Sequence, residues 1–261
     1  MNLFDCFLYS NEDLVLDIRL NTLSEIVKKF VIVESKMDHQ GNPKNLNFNP
    51  NNFPKFKDKI NYLIIDNFPE NFTNWQRENY QRNFITNGLE KASEDDYIII
   101  SDVDEIPNIK NINDLKKKKF SIFEQKMFYY KLNLLNVTNS NWYGSRACKK
   151  KHLKSPQWLR DQKVKKKSIF SFMGINWNII KNGGWHFSFL LSPEGIKHKI
   201  ESFAHSEFNN SKYKNIQKIK QSINNNIDLF DRNFKYKEVE IDSSFPRYIL
   251  ENKDKLKTWI I

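Results

Sequence analysis

The chain has 261 residues and carries 42 Lys+Arg against 31 Asp+Glu, a formal charge of +11. With 39% hydrophobic and 14% aromatic residues it can bury a sizeable core, which excludes a disordered tail, while two cysteines exclude a disulfide scaffold and seven glycines argue against a glycine-rich phosphate loop. Only seven of the basic residues are arginine, and phosphate grips on nucleic acid favour the arginine fork, so no nucleic-acid partner is expected.

Strand and helix signals alternate over the first 110 residues. Residues 3–9 form a short apolar run. Asn11 is the expected N-cap of a helix on which Leu14, Ile18, Leu23, Ile26 and Val27 recur at helical spacing. Residues 30–33 read as a second strand, and the polar stretch 36–52, with Gly41 and Pro43, as a loop. Residues 60–65 predict a third strand, 74–91 a second helix and 97–101 a fourth strand. Strands separated by helices imply crossovers and a parallel sheet, and their near-continuous apolar runs suit burial on both faces. In such sheets ligands bind beyond the carboxyl ends of the strands. That places a site near Ser10, Asn11, Glu34, Ser35, Asp66 and residues 102–104.

The second half is less regular. Residues 120–133 predict one or two strands and 163–180 more of them. A helix is expected over 193–209, opening on Ser192-Pro193-Glu194, and another over 213–230. No repeat or linker divides the chain, so residues 1–261 read as one domain. No basic leader with an apolar core and no stretch of about 20 apolar residues is present, so a cytoplasmic protein, soluble or peripheral to a membrane, is expected. The lysine runs at 116–119, 149–151 and 165–167 read as solvated faces that offer a peripheral contact to anionic membrane.

The segment Ser101-Asp102-Val103-Asp104-Glu105-Ile106-Pro107 concentrates the chemistry. Two carboxylates two apart on a strand point to one face, a third follows, and Pro107 stops the ladder. Crowded carboxylates at the carboxyl end of a strand suit a hard divalent cation, Mg²⁺ or Mn²⁺; a solvated acidic loop is the plain alternative.

Several blocks are similar to one enzyme family. They are Phe4-Asp5-Cys6-Phe7, Asn11-Glu12, Ile18-Arg19-Leu20, Val33-Glu34-Ser35, Gly41-Asn42-Pro43-Lys44, Gln81-Arg82, the long run from Asp96 to Pro107, and Gly184-Trp185-His186-Phe187-Ser188-Phe189. Together they resemble glycosyltransferase family 17, in order, from about residue 3 to Trp259. The resemblance implies an α/β GT-A fold, Rossmann-like, with a mostly parallel central sheet flanked by helices. Residues 1–110 would bind the nucleotide and 111–261 the acceptor. It further implies a metal-dependent, inverting transfer of N-acetylglucosamine from a UDP-sugar to a glycan or lipid-linked acceptor.

On that resemblance Asp104 contacts the metal, Asp102 takes metal, water or ribose, and Glu105 is a ligand or orients Asp104. Glu207 is the expected base on the acceptor hydroxyl. His186 is a candidate for metal or diphosphate, with His205 as the competing metal ligand, and Trp185 could stack on a sugar. Glu34 could accept from the nucleobase or ribose, Arg82 could bond the base or diphosphate, and Lys44 could add charge at the phosphates. Fold-stabilising ion pairs are the alternative for these three. Glu12 and Arg19, two turns apart on one helix, are expected to pack the first helix outside the site. A metal-dependent nucleotidyltransferase or phosphohydrolase, and a basic polyanion-binding module, are the competing functions.

Overall fold

The computed structural model describes residues 1–164 and 175–261, so the lysine run at 165–167 and most of the strand region expected at 163–180 lie outside the described residues. In chain order the first half contains β1 (Leu3–Leu8), α1 (Asp13–Leu23), β2 (Lys29–Ser35), β3 (Ile60–Ile65), α2 (Asn74–Phe84), β4 (Tyr97–Asp102) and β5 (Glu105–Pro107). The second contains β6 (Phe120–Phe123), β7 (Gln125–Tyr129), β8 (Leu134–Asn136), β9 (Asn141–Trp142), β10 (Arg146–Lys149), α3 (Pro156–Asp161), β11 (Trp177–Ile180), β12 (Gly184–Ser188), α4 (Pro193–Ser202), α5 (Ser211–Lys214), α6 (Ile216–Asn224), β13 (Tyr236–Glu238) and α7 (Arg247–Glu251).

Seven strands form the central sheet in the order β11-β6-β10-β4-β1-β2-β3. The β4-β1-β2-β3 stretch is parallel throughout, as is β11 on β6, while β10 runs antiparallel to both its neighbours. The arrangement is the expected Rossmann-like α/β one, a mostly parallel sheet with helices on its faces. Strands β6, β10 and β11 enter it from beyond residue 110, so both halves of the chain build the same layer.

Alternation along the strands explains the packing. Leu3 and Phe7 of β1, Phe30 and Ile32 of β2, and Tyr97 and Ile99 of β4 meet α1 and α7 on one face. Phe4 and Cys6, Val31 and Val33, and Ile98 and Ile100 meet the side chains of α2 and α3 on the other. A second sheet, β13-β8-β7-β12-β5 with β9 on β7, is mixed, and only its β7-β12 pair is parallel. Helices α4 and α6 cover it through Ile196, Ile200 and Ile219.

Helix ends depart from the sequence pattern for local reasons. Asn11 does not cap α1. Glu12 holds the cap position, and its Oε2 reaches back to accept from the backbone N–H groups of Ser10 and Asn11. Helix α2 starts in a Thr73/Gln76 capping box. Its expected continuation to residue 91 tightens to 3₁₀ turns over Ile85–Leu89. Helix α4 opens on Ser192 and Pro193 as expected but stops at Ser202. The loop after β2 takes its terminal carbonyls, with His39 N donating to Ser202 O at 3.0 Å and Gln40 Nε2 to Phe203 O at 2.6 Å. The helix expected over 213–230 is broken at Asn215, which is extended and caps α6 by accepting from Lys218 N.

Gly184 opens β12 at φ +137°, and an added Cβ would stand 2.1 Å from Ile106 O. Gly184→Ala is therefore expected to cost at least about 2 kcal/mol of stability, read as a lowered urea midpoint. Among the described residues no helix is long and apolar enough to cross a membrane.

Candidate active site

A cavity of about 450 Å³ opens at the carboxyl ends of β1, β2 and β4 and extends onto the second sheet. Its walls include Tyr9, Ser10 and Glu12 after β1, Asp38, His39 and Lys44 after β2, Asp102–Asp104 after β4, and His186, Lys199 and His205 from the second half. A larger cavity of about 610 Å³ lies around Met1, Lys28, Lys59 and Lys110, at the amino ends of the strands, and holds none of the candidate residues.

The acidic segment is not one extended strand. β4 ends at Asp102, a turn follows through Val103 and Asp104, and β5 begins at Glu105. The strand rule that would put Asp102 and Asp104 on one face therefore does not apply, although both line the cavity. Arg19 builds this turn. Its Nη1 donates to the carbonyls of Asp102 (2.9 Å), Val103 (3.1 Å) and Glu105 (2.9 Å). Its other edge binds Asp5 in a fork at 2.7 and 2.6 Å, with both side chains fully buried.

Each carboxylate of the segment has separate work. Asp102 lies between two guanidiniums, Arg160 Nη2 at 2.7 Å and Arg82 Nη2 at 3.1 Å. Burial pushes its carboxyl up, but the two arginines outweigh that and hold it at about 2. Glu105 is fully buried and saturated: it accepts from Arg160 through both oxygens, from Trp142 Nε1 at 2.6 Å and from Asp102 N at 3.0 Å. It does not line the cavity, so the expectation of a Glu105 metal ligand is corrected to a positioning role.

Asp104 faces Lys199 through Oδ2 at 3.1 Å and His186 Nε2 through Oδ1 at 3.6 Å. Burial opposes its charge, yet Lys199 and His186 hold the carboxyl well below the usual range. Strand pairing sets this geometry, since His186 registers with Glu105 and Phe187 N donates to Asp104 O.

Asp104 and His186 are the side chains that could hold a divalent cation here. A gap of 3.6 Å is too long for a hydrogen bond and wider than the roughly 3.0 Å between adjacent ligands of an octahedral ion at about 2.1 Å, so the two side chains would draw together around one. No group of three His, Cys, Asp or Glu converges among the described residues. A nucleotide-bound cation takes ligands from phosphate and water as well as from the protein, so a site of this kind would need few side chains.

Other expectations move. Glu34 is fully buried and accepts from Lys44 Nζ, the N–H groups of Asn47 and Phe48, and the Tyr62 hydroxyl. It anchors the 44–48 loop rather than reaching the cavity. Lys44 does line the cavity, though paired to Glu34, and Arg82 lines it while clamping Asp102 and Glu78. Trp185 is core: its indole N–H donates to Ser244 O, and β12 alternation turns it opposite to His186. The cavity's tryptophan is Trp142, whose ring centroid is 5.0 Å from that of His186. His205 lines the cavity with its Nδ1 paired to Glu207 Oε1 at 2.6 Å, and the side chains that meet Asp104 are Lys199 and His186 rather than His205. The Glu207 side chain is 55% exposed and off the cavity wall. Burial pushes its carboxyl up, and the hydrogen bond to His205 brings it below the usual value. Lys149 and Lys151 share Asp95, which reduces the free charge of that run.

The profile of glycosyltransferase family 17 matches residues 1–258. The chain belongs to glycosyltransferase family 17. The human β-1,4-mannosyl-glycoprotein 4-β-N-acetylglucosaminyltransferase is 25% identical over 228 residues, covering 74% of this chain and 42% of that protein. The Rattus norvegicus protein of the same name is 25% identical, with 74% and 41% covered. This family 17 chain thus spans about two fifths of the length of the curated relatives it matches. The solved 2-C-methyl-D-erythritol 4-phosphate cytidylyltransferase of Francisella tularensis aligns at 12% identity, covering 58% of this chain and 74% of its own, with a TM-score of 0.31, too low to inform the site.

The sequence did not point to Trp142, Arg160 and Lys199, and Glu12 and Arg19 were expected to lie outside the site. One signal was available. In a chain with seven arginines, Arg19, Arg82 and Arg160 bind the acidic segment itself, and burial, then the neighbouring Arg160, lowers the Arg146 guanidinium to about 10. Arg19→Met leaves Asp5 buried without its partner and is expected to cost about 3–5 kcal/mol. Arg19→Lys, which restores charge without the fork, should recover less than half of that in chemical denaturation.

Proposed function

We propose that this protein transfers N-acetylglucosamine from a UDP-sugar to a glycan or lipid-linked acceptor, with inversion and with Mn²⁺ or Mg²⁺ bound by Asp104 and His186. The observation that carries the reading is the facing of these two side chains in a cavity at the carboxyl ends of a parallel sheet. Family membership supports glycosyl transfer, and the name of the human relative supports the sugar. No observation favours a nucleotidyltransferase, a phosphohydrolase or a polyanion-binding module.

When bound, a divalent cation offsets the charge that develops on the leaving diphosphate. The chain's own residues do the rest. Asp102, locked ionised by Arg82 and Arg160, presents a fixed acceptor to a ribose hydroxyl or a metal-bound water. Trp142 and His186 form a wall against which the donor sugar packs. His205 and Glu207 divide the role expected of Glu207 alone. His205 faces the cavity, while Glu207 holds Nδ1 of its ring. The acceptor oxygen attacks the anomeric carbon, its proton passes to His205 Nε2, and the bond to the diphosphate oxygen breaks on the opposite face. The lysine faces would bring a lipid-linked acceptor to the surface by attraction to anionic headgroups.

Calorimetric titration of UDP with and without Mn²⁺ tests the donor site: metal-linked binding is expected in the wild type and is lost in Asp104→Asn and His186→Ala. Binding indifferent to metal sinks the assignment. His205→Gln should lower kcat about 10²–10⁴-fold with little change in UDP affinity. Glu207→Gln should lower it less, because it removes only the orienting partner.

A further inference from the structure

Lys199 projects from α4 into the gap between two carboxylates from distant parts of the chain. Its Nζ lies 3.2 Å from Glu12 Oε1 and 3.1 Å from Asp104 Oδ2, and 5.5 Å from the centroid of the Phe189 ring. Glu12 is fixed in turn by the backbone N–H groups of Ser10 and Asn11. The two oxygens of Asp104 thus have different partners: Oδ1 faces His186, and Oδ2 is held by an ammonium that the protein itself supplies. A dication beside Oδ1 and an ammonium beside Oδ2 repel each other across a single carboxylate. A nucleoside diphosphate changes this balance, because it brings enough negative charge for both.

We propose that Lys199 is a built-in competitor for the cation site: with its ammonium on Asp104 and Glu12 the free protein binds divalent metal weakly, and the metal enters together with the diphosphate, which draws Lys199 away from Asp104. The inference rests on the reading of this cavity as a metal-dependent nucleotide site. It makes nucleotide and metal binding mutually reinforcing, and linkage requires each to tighten the other by the same factor.

The test is Mn²⁺ binding to the full chain, followed by the electron paramagnetic resonance signal of the free ion, with and without UDP. Lys199→Met leaves Asp104, His186 and Glu12 without the ammonium. It should bind Mn²⁺ alone about tenfold more tightly than wild type, inside the usual 5–150-fold range of such couplings. UDP should tighten Mn²⁺ by a similar factor in wild type and by much less in Lys199→Met, whereas Lys199→Arg should behave as wild type. Equal Mn²⁺ affinities of wild type and Lys199→Met without UDP would overturn the inference and leave the donor site standing. If Lys199→Met does not fold, wild type alone decides, because an Mn²⁺ affinity unchanged by UDP also overturns it. Absence of both Mn²⁺ and UDP binding in wild type would instead remove the donor site and the inference together.

Discussion

The site depends on a buried arginine. Among the described residues Arg19 is one of the largest fully buried side chains, and its guanidinium carbon lies 4.4 Å from the centre of the Phe7 ring. A charge buried this deeply persists only if it is paired and its donors are used. Asp5 supplies the pairing, and three carbonyls and the Ser101 hydroxyl take the remaining donors. Helix α1, strand β1 and the turn after β4 therefore cannot shift independently. The turn presents Asp102 and Asp104 to the cavity at fixed positions because its carbonyls are held from behind.

The front of the turn obeys the same electrostatic logic. Asp102, Asp104 and Glu105 are crowded, and each is met by its own cation, so repulsion is answered before any ligand arrives. Arg160 is held at a raised pKa; burial works against its charge, and Asp102 and Glu105 outweigh that. Lys199 is held up in the same way by Asp104 and Glu12. Glu105 is consumed in holding Arg160 and Trp142, while Asp104 keeps one oxygen facing an imidazole. The cluster thus divides into a structural carboxylate, a clamped one and one shared between a lysine and a histidine.

Much of the fold was legible because apolar runs and their spacing record burial directly. Four of the five strands of the first half, β1 to β4, lie where those runs placed them, while β5 was not marked by one. Helix ends were less legible because they depend on partners far along the chain. The end of α4 is set by residues 39 and 40, and no local signal near Ser202 announces this. The same distance governs the site. Asp104 and His186 stood in recognisable blocks. Lys199 meets Asp104 across 95 residues, and Arg160 meets Asp102 across 58, each within an unremarkable helical stretch. Trp185 misled for a different reason: adjacent residues of a strand face opposite ways, so the neighbour of a site residue belongs to the core.

The loop after β2 carries a mechanical consequence. His39 and Gln40 cap the end of α4, and Arg77 Nη1 and Gln81 of α2 hold His39 in place. Lys199 stands one turn back from that cap on the same helix. Asp38 and His39 border the cavity where a nucleotide would press. The cavity rim and the last carbonyls of α4 are therefore joined by hydrogen bonds, so the loop and the helix that carries Lys199 hold one another in position. Shortening the loop would remove these donors from the end of α4 and displace Asp38, His39 and Lys44 from the cavity wall together.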